Sequence, residues 1–216
     1  GYVKTAAAEV TYEGGYEQTI VSDNSRIYME NFAEGMGNVM LFDADRLTPT
    51  AEMQAWGFDA ANTAWWYAAD DDFSNPCAVS HSMYSPAGKS NDWMVTPQLS
   101  IPDEKCYLTF KAQSFRTAKT DRLKVIIWEE GQKFNVLSQS LVERMAQEGR
   151  VVVDEVLSPG AEENRLEGDW QDFTVLLDGY AGRKIYIAFV TEHSNASAIF
   201  VTDVYVCHDA RFQIQL

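Results

Sequence analysis

The chain has 216 residues, of which 46% are hydrophobic and 23% charged, and this length can bury a sizeable core without disulfide or metal staples. It carries 17 lysines and arginines against 32 acidic residues, a formal net charge of −15. Nucleic acids and anionic membranes are recognised through basic surfaces, so this balance excludes both as expected partners. It permits divalent cations, which prefer oxygen ligands. No apolar run approaches the roughly 18 residues that a membrane-spanning helix needs.

The first 25 residues differ in amino-acid composition from the rest of the chain. They are small, polar and acidic, with Gly14 and Gly15 in the middle, which is typical of a tail or a peripheral strand. No linker or internal repeat divides the remaining residues. We therefore predict an N-terminal extension over 1–25 and one domain over 26–216.

Short segments of alternating apolar and polar residues recur from Arg26 onward, each bounded by Gly, Pro, Asn or Asp. This period-two pattern indicates β-strands. Eight strands are predicted, over 27–32, 38–42, 106–113, 123–128, 151–156, 173–177, 184–190 and 198–206.

Helix is scarce in the predicted elements. One helix is predicted over 138–147, because Leu137, Leu141, Val142 and Met145 share one helical face. Thr50 stands where it can cap a single turn that reaches residue 56. Many strands with few helices predict an all-β fold, an antiparallel sandwich or barrel.

The three cysteines are Cys77, Cys106 and Cys207. None of them has the C-x-x-C spacing of a zinc site that uses four thiolates. Two alternatives remain open: one disulfide with one free thiol, or three buried thiols that act as small hydrophobes.

The segment between Phe42 and Ile101 is long, lacks sustained periodicity, and is rich in Trp, Asp, Asn and Ser. A connection of this length is usually functional or organised locally. Residues 42–49 read FDADRLTP, residues 63–65 read TAW, residues 78–88 read AVSHSMYSPAG and residues 90–97 read SNDWMVTP.

In order and spacing these motifs resemble those of the choice-of-anchor J domains, which are relatives of the cleaved adhesin domains of Bacteroidetes surface proteins. The most specific of them is the Asn-Asp-Trp element at 90–97. Later segments, LDGYAGR at 177–183 and FVTDV at 200–204, resemble the C-terminal motifs of the family. Two positions depart from its pattern: Arg46 stands where the family usually has Gly, and Thr202 replaces the first Asp of the closing pair.

The resemblance implies a jelly-roll β-sandwich of the galactose-binding or MAM-like type. It also implies export, to the cell surface through an outer-membrane anchor or as a secreted protein. The implied function is non-catalytic adhesion or ligand binding, with carbohydrate or a host or matrix protein as partner. A structural calcium ion is the implied cofactor, and the oligomeric state is left open.

The candidate calcium ligands are Asp43, Asp45 and Asp203. An Asp-x-Asp turn together with an aspartate from a late strand offers the oxygen ligands that Ca²⁺ prefers. The alternative is that Asp43 and Asp45 cap a turn through hydrogen bonds to the backbone.

A structural role is predicted for the motif formed by Asn91, Asp92, Trp93 and Pro97. Trp93 is expected in the core, and Asp92 is expected to accept hydrogen bonds from backbone amides where the strand begins.

Five aromatic side chains are candidate sugar platforms, namely Trp56, Trp65, Trp66, Tyr67 and Tyr84. The alternative is that they belong to the core, since aromatic residues dominate ordinary cores. Trp65 and Trp66 are expected to point to opposite faces if they lie on a strand.

Two other functions are weighed against binding. A glycan-acting hydrolase needs two acids about 5 to 9.5 Å apart in a cleft, and the sequence selects no such pair. A serine hydrolase of the G-x-S-x-G type is not indicated, because the motif is absent. A purely structural spacer domain is the third alternative.

Overall fold

Two antiparallel β-sheets face each other in the computed structural model of the chain. The structure describes residues 26–58, 64–68, 76–102, 105–115, 121–157, 170–194 and 198–208. The tail or strand predicted for 1–25 lies outside these residues.

The first sheet contains six strands in the described ranges. Its path runs β10-β7-β12-β4-β3, and β1 pairs with the C-terminal half of β12. The bounds are β1 Arg26–Glu30, β3 Trp66–Ala68, β4 Cys77–His81, β7 Cys106–Ser114, β10 Gln171–Leu176 and β12 Ala198–His208.

The second sheet also contains six strands in the part of the chain that is described. Its path runs β2-β5-β11-β8-β9, and β6 pairs with the beginning of β11. The bounds are β2 Met40–Asp43, β5 Asp92–Val95, β6 Leu99–Ser100, β8 Arg122–Glu129, β9 Arg150–Val156 and β11 Lys184–Thr191.

The central core fills the space between the sheets. Alternation along β7 directs Leu108, Phe110 and Ala112 into this space, and β11 contributes Ile187 and Phe189 from the opposite sheet. The rings of Phe110 and Phe189 meet edge to face, with centroids 5.2 Å apart. Burial of this apolar surface is the main force that holds the sheets together.

Smaller apolar clusters cover the outer faces of both sheets. Helix α2 (Gln139–Glu148) packs Val142 and Met145 on the second sheet, and its N-terminus is capped by Ser138, whose Oγ accepts from the Leu141 amide. Helix α1 (Ala51–Ala55) packs Met53 on the first sheet and is capped by Thr50. A 3₁₀ turn follows β10 at Asp178–Tyr180. Within the described residues, no helix is long and apolar enough to cross a membrane.

The predicted all-β, antiparallel jelly-roll sandwich is confirmed, and so are the helix near 138–147 and the capping role of Thr50. Four strands, β3 to β6, lie in the segment between Phe42 and Ile101, where no sustained alternation is visible. The physical reason is plain for β4 and β5, whose residues are buried on both faces, so apolar and polar residues do not alternate along them. Cys77, Cys106 and Cys207 are all buried thiols, as the second alternative predicted.

Candidate metal centre

Three aspartates meet at one end of the second sheet. Asp43 ends β2 and lies directly opposite Asp92, the first residue of β5, while Asp45 follows in the next loop. One carboxylate oxygen of each lies within 4.8 Å of the others. Like charges placed opposite each other on paired strands repel. We call these three residues the carboxylate cluster.

Two members of the cluster also organise the loop after β2. The Arg46 amide donates to Asp43 Oδ1 at 2.6 Å, and the Leu47 amide donates to Asp45 Oδ1 at 2.8 Å. The Asn91 amide donates to Asp45 Oδ2 at 2.5 Å, which ties the loop to the start of β5. Asp43 and Asp45 therefore do cap the turn through hydrogen bonds to the backbone, as the alternative to a metal site predicted. The φ angle of Arg46 is +56°, a left-handed conformation that explains why glycine suits this position.

Asp92 is the most enclosed member of the carboxylate cluster, with no exposed surface. Tyr84 donates its hydroxyl proton to Asp92 Oδ2 at 2.6 Å. The other oxygen, Oδ1, is buried and has no hydrogen-bond partner. No ion pair formed by the described residues reaches any of the three carboxylates.

This enclosure disfavours the ionised forms. Burial raises the pKa of Asp92 well above its ordinary value, and the neighbouring charge of Asp45 adds to the effect. Burial likewise raises the pKa of Asp45. The pKa of Tyr84 is raised by burial and then by the Asp92 carboxylate, so Tyr84 stays a neutral donor.

The cluster fits a hard divalent cation. Ca²⁺ takes six to eight oxygen ligands, including carboxylates and carbonyls, and the unpartnered Asp92 Oδ1 is such a ligand. A bound cation would offset the mutual repulsion of the three carboxylates. Among the described residues, this is the one group of three acidic, histidine or cysteine side chains close enough to share an ion.

Asp203, the third predicted ligand, does not join this cluster. It lies at a bulge of β12 in the first sheet, with a φ of +53°, and its Oδ2 is 3.1 Å from Lys111 Nζ on the adjacent strand β7. The third carboxylate is supplied instead by Asp92, for which the sequence predicted a structural role. The pairing of β2 with β5 brings Asp92 to Asp43.

The fold has counterparts among solved structures, although no family model and no curated protein matches the sequence. One is the K1 cleaved adhesin domain of Lys-gingipain from Porphyromonas gingivalis, with a TM-score of 0.57 and 17% identity over 85% of this chain and 98% of that one. The K3 domain of the same protein gives 0.54 and 21% identity, over 84% of this chain and 96% of that one. The K2 domain of Lys-gingipain gives 0.52 and 17% identity, over 83% and 96%.

The chain shares the fold of these cleaved adhesin domains. The jelly-roll architecture that the motifs implied is therefore confirmed. At 21% identity or less, the likeness concerns the fold and leaves the narrower choice-of-anchor J assignment a prediction.

Two of the predicted sugar platforms are not available to a ligand, which corrects the expectation for Trp65 and Tyr84. Trp65 is fully buried between the sheets, and its Nε1 donates to the Asp92 carbonyl at 3.2 Å. Tyr84 is only 4% exposed, because it packs over Asp92. Both side chains donate hydrogen bonds to Asp92, Trp65 to its carbonyl and Tyr84 to its carboxylate.

Two of the remaining aromatic candidates, Trp56 and Trp66, lie toward the outer face of the first sheet. Trp66 is half-buried there, so it and Trp65 do point to opposite faces. Trp56 is half-buried and meets Phe115 edge to face, with ring centroids 4.7 Å apart. Tyr67 is exposed and lies 5.3 Å from Trp66 between ring centroids.

The Asn91 to Pro97 element contains strand β5, and the structure differs from one expectation for it. Trp93 is buried on the outer face of the second sheet, and its Nε1 donates to Asn91 Oδ1 at 2.7 Å. Pro97 is half-buried just after the strand ends. The expectation that Asp92 accepts from backbone amides is wrong: its Oδ2 accepts from Tyr84, and it is Asp45 that accepts from the Asn91 amide.

Further polar groups are buried beside the cluster, and the sequence did not single them out as a set. Ser80 Oγ and Thr191 Oγ1 are enclosed without hydrogen-bond partners, and Thr191 lies opposite Asp92 on β11. Ser82 donates to Asp121 Oδ2 at 2.7 Å, and both are buried. This end of the sandwich is therefore polar between the sheets, where the middle is apolar.

His81 lies on the opposite face of β4 from these serines. Its Nδ1 accepts from the Met83 amide at 3.1 Å, and its ring touches Phe58, with centroids 4.6 Å apart. Burial lowers the pKa of His81 to about 4, so the ring is neutral at pH 7. Nε2 is buried and has no hydrogen-bond partner, so His81 is a structural histidine and is not placed to activate a serine.

Proposed function

We propose that this chain is a non-catalytic adhesion or ligand-binding module of an exported, cell-surface or secreted protein. Its ligand would be a carbohydrate or a host or matrix protein. The fold it shares with adhesin domains supports this proposal. The acidic surface, with a net charge of −15, agrees with a partner that is neither nucleic acid nor an anionic membrane.

The proposal includes a structural calcium ion held by Asp43, Asp45 and Asp92. The observation that carries it is the convergence of the half-buried Asp43 and Asp45 on the buried Asp92, one oxygen of which has no hydrogen-bond partner. The ion would supply positive charge and fix the loop after β2 against β5. Asp203 is not included, since Lys111 neutralises it.

The same cluster is poorly suited to glycoside hydrolysis. An acid–base or acid–nucleophile pair works across a substrate, with the carboxyl groups about 5 to 9.5 Å apart in an open cleft. Here the oxygens lie within 4.8 Å of one another, and Asp92 has no exposed surface that a substrate could reach. The geometry therefore favours a cation over a scissile bond.

The direct test is a binding screen of the calcium-loaded chain. Arrays of glycans and immobilised fibronectin, fibrinogen and collagen would be probed, with and without a chelator. We expect saturable binding to at least one surface, weakened by chelation. Failure to bind any of them would favour the spacer alternative, and release of reducing sugar from the bound glycans would favour the hydrolase.

A further inference from the structure

Tyr84 reaches the carboxylate cluster from the opposite sheet. It follows strand β4 of the first sheet, whereas Asp92 begins β5 of the second. Its backbone forms an isolated bridge with Pro49, in the same connection that carries the other two carboxylates of the cluster. Beside this bridge, the Ser85 amide donates to the Thr48 carbonyl at 2.8 Å. The backbone of Tyr84 is therefore fixed by the segment that also supplies two of the three carboxylates.

The Tyr84 hydroxyl fixes one oxygen of Asp92. It lies 2.6 Å from Asp92 Oδ2 and 3.2 Å from the His81 carbonyl, and since a hydroxyl has one proton, the shorter contact with the carboxylate takes it. The distance of 2.6 Å is typical of a strong O–H···O⁻ hydrogen bond. Trp65 Nε1 donates to the Asp92 carbonyl at 3.2 Å. Two side chains from the first sheet therefore hold both the backbone and the carboxylate of Asp92.

The two oxygens of Asp92 differ in what they can offer to a cation. Oδ2 already shares electron density with the Tyr84 proton, whereas Oδ1 is buried and has no hydrogen-bond partner. Ca²⁺ accepts a carboxylate through either one or two oxygens, at about 2.3 to 2.6 Å. Mg²⁺ requires near-octahedral geometry at about 2.0 to 2.1 Å, which a carboxylate that binds through both oxygens distorts. The number of Asp92 oxygens that reach the ion therefore affects the two cations differently.

We propose that Tyr84 sets the ion selectivity of the carboxylate cluster, because its hydroxyl restricts Asp92 to a single ligating oxygen, Oδ1. Without the hydroxyl, both oxygens of Asp92 turn to the ion, an arrangement that suits Ca²⁺ and not Mg²⁺. Tyr84 is a positioning residue, since it touches the ligand and not the ion. The inference rests on the calcium site of the proposed function and deepens it by assigning the residue that sets its selectivity.

The test compares Ca²⁺ and Mg²⁺ binding in wild type and Tyr84→Phe. Tb³⁺ is bound to the metal-stripped chain, its luminescence is excited through the tryptophans, and it is displaced by Ca²⁺ or by Mg²⁺. We expect the ratio of the Mg²⁺ to the Ca²⁺ dissociation constant to rise about tenfold in Tyr84→Phe. If Tyr84 only supports the fold, both ions weaken by the same factor. An unchanged ratio would therefore overturn the proposal.

Tyr186→Phe is the matched control. Tyr186 is buried on the outer face of the second sheet, where its hydroxyl accepts from the Phe134 amide at 2.7 Å and donates to the Gln132 carbonyl at 3.0 Å. This variant also removes a hydrogen-bonded phenol hydroxyl, but none that touches a carboxylate of the cluster. We expect its ratio of dissociation constants to stay at the wild-type value. A rise equal to that of Tyr84→Phe would show that the loss of any buried hydroxyl has this effect, and the proposal would be wrong.

A crystal structure of the calcium-loaded wild type tests the same inference without a variant that has to fold. We expect Asp92 Oδ1 at about 2.3 to 2.6 Å from the ion and Oδ2 still bonded to Tyr84. If the ion binds the cluster through both oxygens of Asp92, the calcium site stands and the role of Tyr84 is wrong. If no ion binds there at millimolar calcium, the calcium site of the proposed function fails, and this inference fails with it.

Discussion

The centre of the sandwich and its polar end are stabilised by different interactions. The centre is fully buried, whereas the polar end joins the buried Asp92 to the half-buried Asp43 and Asp45. In the centre, Phe110 and Phe189 exclude water from both sheets, and their contact is favourable in any buffer. At the polar end, Asp43, Asp45 and Asp92 bring three carboxylates together, and burial with the charges of Asp45 and Asp43 raises the cost of ionising Asp92.

This difference means that one region stabilises itself and the other depends on what is bound to it. Apolar burial scales with the area removed from water and needs no counterpart in solution. A buried charge cluster is stabilised only if a cation, or protons, offsets the repulsion. Four measurements test this contrast between the two regions.

The largest effect is expected from Phe189→Ala in the centre. Loss of a buried phenylalanine leaves a cavity and should lower the free energy of unfolding by about 3 to 5 kcal/mol. Urea denaturation should give the same loss with calcium and with chelator. Val136→Ala, at a residue that is 77% exposed, is the control and should change little. If Phe189→Ala lowers the free energy of unfolding in only one of the two buffers, the stability of the centre also depends on calcium, and the proposed contrast with the polar end is wrong.

Calcium should stabilise the polar end. A ligand at 100 times its dissociation constant adds about 2.7 kcal/mol. For a chain of this size that corresponds to a rise of about 5 to 10 °C in Tm, measured on metal-stripped protein with magnesium as the comparison. The rise should vanish in Asp43→Ala and Asp92→Asn and persist in Asp203→Ala. If Asp203→Ala abolishes it instead, the ion is not held by the carboxylate cluster.

His81, on the outer face of β4 and in contact with Tyr84, should make the stability of the chain sensitive to acid. Its pKa is about 4 in the folded chain, below the ordinary 6.5, because burial opposes protonation. The contribution to stability is complete above pH 6.5 and is lost as the pH falls toward 4. Between pH 7 and 4.5, wild type should lose roughly 2 to 3 kcal/mol more than His81→Asn, which keeps an acceptor for the Met83 amide. If wild type and His81→Asn lose the same stability between pH 7 and 4.5 in chelated buffer, His81 is not the source of the pH dependence.

The smallest effect is expected at Arg46. A left-handed φ costs a residue with a side chain about 1 to 2 kcal/mol, and glycine avoids this cost. Part of the benefit is lost, because glycine gives up more backbone conformational entropy on folding than any other residue. Arg46→Gly should therefore stabilise the metal-free chain by about 1 kcal/mol or less, as measured by thermal unfolding. Destabilisation would mean that the Arg46 side chain makes a contact worth more than the strain.

Part of the strand framework could be predicted from alternation, as in β10, where less exposed and exposed residues alternate, and part from apolar runs such as the one in β8. Strands β4 and β5 were missed because Cys77–His81 and Asp92–Val95 are short, buried on both faces and mix polar with apolar residues. Only their resemblance to known motifs pointed to an ordered structure in that segment.

Two of the three members of the carboxylate cluster were predicted as a group from the sequence. Asp43 and Asp45 are close in sequence, and their spacing by itself suggested either a turn or a cation. The third carboxylate is separated from them by strands whose pairing no local pattern reveals, and the resemblance suggested Asp203 where the structure places Asp92. Likewise, no local signal tells that Trp65 faces the interior while its neighbour Trp66 lies toward the outer face.

The sequence by itself determined the all-β class, the positions of the long strands and of α2, and the acidic character, because these depend on short-range periodicity and composition. The tertiary structure decided which carboxylates meet and which aromatic rings are enclosed. Those features depend on contacts between strands that are distant in sequence, and such contacts are set by the register of β2, β5 and β11 within one sheet.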